Sequence, residues 1–158
     1  MSREDDVAEI RGLMDRYGST VDERDWAAFA ELFDDNVSKQ YTGIEPARET
    51  KTVSRADHVA GVAGVLGVFD ATQHMITNVQ VTLDGDRATC RAAMRAEHWL
   101  SGLLGAPRYT MFGVYRNGFR RTPDGWKIDH LDIEIVREDG NHGVWDEAIR
   151  RARPGAAT

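Results

Sequence analysis

The sequence predicts an α+β fold in which N-terminal helices pack on one face of a strongly curved antiparallel sheet. Three features of the chain indicate this fold. Apolar residues recur at helical spacing in its first part, strand-like alternation begins near Gln73, and turn-forming residues separate the alternating runs. A curved sheet that helices close leaves a conical space at its centre, so the fold also predicts a pocket for a ligand.

Helical periodicity predicts three helices before the long strands. The first has Ser2 at its N-cap, acidic residues in its first turn, and an apolar stripe formed by Val7, Ile10, Met14, Tyr17 and Val21. Asp25 predicts the cap of a second helix over 26–33. Ser54 begins a pattern that resembles a capping box, which predicts a third helix over about 55–66.

Alternation predicts four long strands that follow one another as a meander. Asp84-Gly85-Asp86 and Thr122-Pro123-Asp124-Gly125 are turn signals typical of hairpins, and Gly105-Ala106-Pro107 separates two other strands. A shorter strand is expected at 37–42, followed by a loop around Pro46. The four long strands are predicted at 74–83, 87–100, 108–121 and 126–137.

Length and composition indicate a single folded domain over 1–158. The 158 residues suit one hydrophobic core, which we expect at about 5–140, and the hydrophobic fraction of 41% is ordinary for a globular protein. A short helix is expected over 141–151, and the tail over 153–158 is expected to be disordered.

Charge and cysteine content limit the expected partners and compartment. A net charge of −6 gives no basic surface for nucleic acid or anionic membranes, so a small-molecule substrate is expected. The single cysteine, Cys90, excludes an intrachain disulfide. The first ten residues contain no apolar run typical of a secretion signal, so a cytoplasmic protein is expected.

Two histidines lie on predicted strand faces. His98 lies on the apolar face of strand 87–100, and His74 shares a face of its strand with Ile76 and Asn78. The opposite face of that strand is predicted to carry Met75, Val79, Val81 and Leu83. A lone histidine on an apolar face is more often a core residue than a catalyst, and Asp22 is more often a turn residue. The residues alone leave structural and catalytic roles open.

The sequence lacks the common motifs of metal and nucleotide sites. Its five histidines show no metal-ligand spacing, and no G-x-G-x-x-G, P-loop or nucleophile-elbow motif occurs. We therefore expect neither a metal ion nor an organic cofactor.

Three runs of residues match a known family. They are Tyr17-Gly18-Ser19-Thr20-Val21-Asp22-Glu23-Arg24-Asp25-Trp26, Thr72-Gln73-His74-Met75-Ile76-Thr77-Asn78 and Asp124-Gly125-Trp126-Lys127-Ile128. Over about 5–140 the chain resembles the SnoaL-like group of the nuclear transport factor 2-like superfamily, and within it the scytalone dehydratases. The resemblance implies a conical sheet around a central pocket, and a cofactor-independent lyase that eliminates water from a hydroxy-carbonyl substrate.

The resemblance also implies a catalytic set. Asp22 and His98 fall where the family has an aspartate that orients a strand histidine, while His74 and Tyr41 match a second histidine and a strand tyrosine. Asp22 and His98 would form the base, His74 would act on the leaving hydroxyl, and Tyr41 would donate to the carbonyl oxygen.

The substrate-binding positions depart from the family in two places. Val21 replaces a tyrosine and Tyr115 stands in place of an asparagine, so Tyr115 or Tyr17 is expected to supply a hydroxyl. The apolar wall of the pocket, suited to an aromatic, alicyclic or polyketide-type substrate, is expected to contain Trp26, Met94, Leu100, Met111 and Phe112.

Other functions fit the same residues. Enone isomerisation or polyketide cyclisation would use the same pocket, whereas a non-catalytic ligand-binding or assembly domain would need no acid-base pair. A hydrogen bond between Asp22 and His98 across a cavity would favour the enzyme, and its absence would favour the non-catalytic alternative.

The outer face of the meander predicts self-association. Trp99, Phe112 and Val114 would leave this face apolar and uncovered in so small a chain, which predicts a homodimer or homotrimer.

Overall fold

A computed structural model describes residues 2–43 and 50–152, and it confirms the α+β fold. The predicted loop around Pro46 and the predicted disordered tail over 153–158 lie outside the described residues. The elements are α1 (Arg3–Asp22), α2 (Trp26–Ala30), β1 (Phe33–Gly43), β2 (Lys51–Ser54), α3 (Arg55–Leu66), β3 (Ala71–Asp84), β4 (Arg87–Trp99), β5 (Arg108–Thr122), β6 (Gly125–Gly140) and α4 (His142–Ala152).

The strands form one curved sheet of six in the order β2-β1-β6-β5-β4-β3. Neighbouring strands are antiparallel, as expected, except that β1 and β6 are parallel. The parallel pair forms because the meander from β3 to β5 separates the two strands in sequence, and β6 then returns beside β1. Register shifts interrupt three of the pairings, and such bulges increase the bend of a sheet.

Local capping explains where the helices begin. The Ser2 hydroxyl accepts a hydrogen bond from the Asp5 backbone N–H at 3.2 Å, and the Asp5 carboxylate accepts one from the Ser2 N–H at 2.8 Å. α2 ends at Ala30, earlier than predicted, because the Leu32 carbonyl already accepts a sheet hydrogen bond from the Ile128 N–H at 2.9 Å. Tertiary pairing therefore overrides the helical pattern of 31–33.

The predicted division of β3 into two faces is wrong, because a bulge interrupts the strand. The register with β4 shifts between Thr77 and Gln80, and Asn78 adopts a left-handed backbone conformation with φ of 56°. The shift reverses which positions of the strand point to the core. Ile76 before the bulge and Val79, Val81 and Leu83 after it therefore all pack against the core. Asn78 is exposed.

Helices cover the inner face of the sheet. α1 packs chiefly on β3, α3 on β1, and α4 on β4 and β5. None of the described helices is both long and apolar enough to span a bilayer.

Candidate active site

Asp22 and His74 form a hydrogen-bonded pair where α1 ends over β3. Asp22 Oδ1 accepts from His74 Nδ1 at 2.7 Å and from the Thr72 hydroxyl at 2.9 Å. Its other oxygen, Oδ2, accepts from the His74 backbone N–H at 2.7 Å. Burial raises the pKa of Asp22, but hydrogen bonds from His74 and Thr72 outweigh this effect, so the pKa lies below its usual value. Asp22 is therefore ionised at neutral pH.

The pair fixes the state of the His74 ring. An ionised carboxylate only accepts hydrogen bonds, so in neutral His74 the proton lies on Nδ1 and Nε2 carries a free lone pair. Nε2 can then accept a proton from a substrate. Asp22 would stabilise the imidazolium that results, as the aspartate of an Asp–His pair does.

Gly18 allows α1 to approach β3 closely enough for this contact. A Cβ at Gly18 would lie 3.2 Å from the His74 carbonyl oxygen and 3.4 Å from His74 Cβ. Asp22 follows one helical turn later, so the same close approach brings its short side chain to His74.

The pair borders a groove between α1 and β3. The groove has a volume of about 420 Å³ and is lined by Asp15, Gly18, Ser19, Asp22 and 73–77. The His74 side chain is 6% exposed and that of Asp22 is 21% exposed. The Asp22 carboxylate is thus reachable from solvent, while the His74 imidazole is largely shielded.

The predicted hydrogen bond between Asp22 and His98 is wrong, because the carboxylate bonds to His74 instead. By the criterion stated above this absence favours the non-catalytic alternative, whereas the Asp22–His74 bond supplies the kind of hydrogen-bonded acid-base pair that an enzyme would need. β3 is the edge strand beneath α1, whereas His98 lies on β4, one strand further in. The His98 ring is nevertheless close: its centroid lies 5.8 Å from that of His74, and the two planes are almost perpendicular.

His98 is buried among aromatic rings. Its centroid lies 4.9 Å from that of Phe69 and 5.1 Å from that of Trp145 on α4. Burial lowers the pKa of His98 to about 3, with a further lowering by His74. His98 is therefore neutral near pH 7, and its Nδ1 atom has no hydrogen-bond partner within 2–43 and 50–152. It is a weak base but remains able to donate or accept a hydrogen bond.

Two buried tyrosines, Tyr17 and Tyr115, pack against each other in the interior. The rings of Tyr17 and Tyr115 are 5.4 Å apart and their hydroxyl groups are hydrogen-bonded. Burial raises the pKa of Tyr17 and of Tyr115, and the nearby Tyr41 raises both further. Asp22 also raises the pKa of Tyr115. The phenols therefore stay protonated and can donate hydrogen bonds.

Aromatic rings pack around Tyr17, in the part of the interior where the sequence predicted a conical space. Tyr17 lies 5.3 Å from Phe29 and 6.1 Å from Phe33, measured between ring centroids. The predicted apolar wall lies in the core, with Trp26 partly buried and the others buried: Met94, Leu100 and Met111.

Phe112 does not belong to this wall. Neighbouring residues of a strand point to opposite faces, so Phe112 lies on the side of the sheet away from Met111. There the guanidinium of Arg95 lies 5.5 Å from the centre of its ring.

Several polar groups at the site were not predicted from the sequence. The Thr72 hydroxyl donates to the Asp22 carboxylate, and fully buried Asn117 accepts from the Asp132 N–H at 3.4 Å. Elsewhere in the molecule, His58 on α3 is fully buried and Lys39 on β1 is half-buried. His58 follows a cap in an apolar helix and Lys39 lies in a polar strand, so neither stands out in the sequence.

In the part of the chain that the structure describes, no cluster of three or more His, Cys, Asp or Glu side chains could hold a metal ion.

Comparison with known proteins gives the family. The SnoaL-like domain matches residues 2–132, so the chain belongs to the SnoaL-like domain family, as the sequence motifs predicted. The uncharacterized protein Rv2910c of Mycobacterium tuberculosis is 30% identical over 127 residues, which cover 78% of this chain and 80% of that protein.

Solved structures share the fold. The Kfla4162 protein from Kribbella flavida is 31% identical with a TM-score of 0.84, covering 92% of this chain and 99% of that one. A Novosphingobium aromaticivorans protein provisionally named as a scytalone dehydratase is 18% identical with a TM-score of 0.70, covering 84% and 85%. The nuclear transport factor 2-like cone predicted from the sequence is thereby confirmed.

Proposed function

We propose that this chain is a cofactor-independent lyase that eliminates water from a small hydroxy-carbonyl compound. The observation that carries the proposal is the 2.7 Å hydrogen bond between Asp22 and His74 Nδ1. It holds a histidine base with a free Nε2 beside phenols that can donate to an oxygen, and removal of a proton next to a carbonyl needs both groups.

The proposed reaction begins with proton transfer. His74 Nε2 takes a proton from the carbon beside the substrate carbonyl, and Asp22 stabilises the imidazolium. Negative charge that develops on the carbonyl oxygen is stabilised by a phenol, either exposed Tyr41 or the Tyr17–Tyr115 pair. The new carbon–carbon double bond forms as the carbon–oxygen bond breaks. His74 then returns its proton to the departing hydroxide, so water leaves and the base is restored.

His98 has a supporting role in this proposal. Because burial keeps its pKa at about 3, it is not charged by the substrate proton and can act as a neutral hydrogen-bonding group beside His74. The proposal therefore moves the base from His98 to His74, which also keeps the leaving-group role that the resemblance implied for it.

The test is a screen of aromatic and alicyclic hydroxy-ketones, with mass spectrometry to detect loss of water. We expect at least one compound to lose water with the wild-type protein and not with His74→Ala. A product of unchanged mass would contradict the dehydratase. An isomer would indicate the isomerase alternative, and a cyclised product would indicate the cyclase alternative. Binding without turnover across the panel would favour the non-catalytic alternative.

We also propose that the outer face of the sheet binds a second copy of this chain. This face carries apolar Val114 between two ion pairs formed within the chain, Arg95–Glu97 and Arg116–Glu134. These two ion pairs neutralise the four charges beside Val114, which suits this part of the face to an identical partner. Exposed Val136 and Met75 extend it.

Light scattering at micromolar concentration is expected to give the mass of a homodimer or homotrimer. Val114→Asp should reduce it to the monomer mass, because an unpaired charge would be buried in the contact. Ala60→Asp, at an exposed position of α3 away from the outer face of the sheet, is the control. A monomer mass for the wild-type protein would contradict the proposal.

A further inference from the structure

We propose that Arg24 is a positioning residue, which holds the Asp22 carboxylate against His74 by tying the end of α1 to the segment that leads into β3. Arg24 lies two residues after the end of α1, within a sequence motif of the family, and the proposed reaction gives it no part. The inference rests on the proposed function in one respect, namely that the geometry held in place is that of the base.

The Arg24 side chain makes the tie. Its Nη2 atom donates to the Phe69 carbonyl oxygen and, at 3.3 Å, to the Asp70 carbonyl oxygen. A guanidinium is always charged, so both are charge-assisted hydrogen bonds, which are stronger than bonds between neutral groups. Phe69 and Asp70 directly precede β3, which begins at Ala71. The two bonds therefore join the helix that carries the carboxylate to the strand that carries the base.

Asp70 is fixed on its other side by β4 and the loop that follows β4. Its backbone N–H donates to the Trp99 carbonyl oxygen at 2.8 Å. Its carboxylate accepts from the backbone N–H and from the hydroxyl of Ser101, both at 2.6 Å. Arg24 thus ties the end of α1 to a point that the sheet already holds in place.

This tie supports the bonds of the catalytic carboxylate. Asp22 is the last residue of α1, and the ends of helices fray. The Thr72 hydroxyl and both donors of His74 bond this carboxylate further along the same stretch of chain. Arg24 bonds the start of the stretch, so it fixes where the helix end lies relative to β3. The short side chain of Asp22 can then reach His74.

The backbone of Arg24 supports the same interpretation. Its φ of 59° lies in the left-handed region that favours glycine. Its N–H donates to the Val21 carbonyl oxygen at 3.1 Å, and the N–H of Asp25 donates to the Thr20 carbonyl oxygen at 2.9 Å. These two bonds form a Schellman motif, in which glycine is the usual residue at the position of Arg24. An arginine is less favourable there for the backbone, which indicates that its side chain has a role.

Arg24→Gly tests the proposal, because it removes the side chain and relieves the backbone at the same time. NMR follows the exchange of the His74 backbone N–H with deuterium. This N–H donates to Asp22 Oδ2 at 2.7 Å, so its protection depends on where the carboxylate lies. We expect exchange to be faster by about tenfold or more, approaching the rate in Asp22→Ala. The Ile128 N–H, which bonds the Leu32 carbonyl oxygen at 2.9 Å, should keep its wild-type rate.

Asn78→Gly is the matched control. Asn78 is exposed and has a similar φ of 56°, so glycine relieves the backbone there without removing a bond to 69–70. The His74 N–H should then exchange at the wild-type rate. Arg24→Lys should recover part of the protection, because an ammonium keeps the charge but lacks the planar fork of donors. With a substrate in hand, Arg24→Gly should lower turnover by about tenfold to a hundredfold without lowering the melting temperature.

Two outcomes would overturn the role of Arg24. One is unchanged exchange at His74 in a folded Arg24→Gly protein, and the other is faster exchange at His74 and Ile128 alike, which a general loss of stability would cause. If Arg24→Gly does not fold, Arg24→Asn gives the same test, since asparagine tolerates the left-handed conformation and is too short to reach Phe69. The exchange measurement needs no substrate. If exchange rises at His74 alone while the wild-type protein shows no turnover, the lyase proposal fails and the role of Arg24 stands.

Discussion

Replacement of His74 by alanine is expected to lower turnover by a factor of about 10² to 10⁴, the usual contribution of a positioned acid-base group. Asp22→Asn should have an effect of similar size. An asparagine cannot stabilise the imidazolium, and its amide can hold the ring in the wrong tautomer. The double variant should be hardly worse than the more damaged single variant, because the two residues act as one unit.

The matched control is His130→Ala. His130 bonds the Ser38 hydroxyl at 3.0 Å and belongs to another part of the sheet, so its loss should leave turnover unchanged. Melting temperatures measured on the same preparations separate catalysis from folding. Near-normal turnover by a folded His74→Ala protein would contradict the mechanism, as would strictly additive effects of the two substitutions.

His98→Gln distinguishes the two histidines further. A glutamine side chain can still donate and accept hydrogen bonds, so this variant should retain more turnover than His74→Ala. The reverse order would restore the roles that the sequence resemblance implied, with His98 as the base.

Local signals in the sequence predicted most of the fold. The caps at Ser2, Asp25 and Ser54 are contacts within one helical turn, and the hairpin turns are equally local, so their residues identify them. The end of α2 and the strand β2 depend instead on pairing with distant strands. Periodicity carries no information on such pairing.

The difference between local signals and long-range pairing also explains which features of the site could be predicted. Motif residues identified Asp22, His74 and His98 together, but which histidine meets the carboxylate depends on which strand lies beneath α1. The bulge at Asn78 likewise reverses which positions of β3 point to the core. The residues that precede the bulge give no sign of this reversal. His58 is buried because α3 packs on β1, and neither segment carries a local signal of that packing.

Acidification is expected to destabilise the fold through two buried histidines. Burial lowers the pKa of His58 to about 4 and that of His98 to about 3, against an ordinary value of 6.5. Both rings therefore stay neutral in the folded protein while the unfolded chain takes up protons. The unfolded state then binds more protons, so stability is fully present above pH 6.5 and falls as the pH drops toward the folded pKa values.

The expected loss is large. Between pH 7 and pH 5 each histidine should reduce the free energy of unfolding by about 2 kcal/mol, which is a substantial part of the stability of a small domain. Urea unfolding at the two pH values measures this loss. His58→Leu and His98→Leu should each remove about half of the histidine contribution, because leucine has no proton to bind and fills a similar volume.

His142→Leu is the control, since its side chain is 61% exposed and lies on the surface. It should leave the pH dependence of stability unchanged. NMR provides a second measurement that does not depend on any variant: two imidazoles of the folded wild-type protein should fail to titrate between pH 7 and pH 5. If all five histidines titrate in that range, or if the leucine variants lose as much stability as the wild type, the two rings are not held neutral by burial. Any fall in stability between pH 7 and pH 5 would then have to come from other titrating groups.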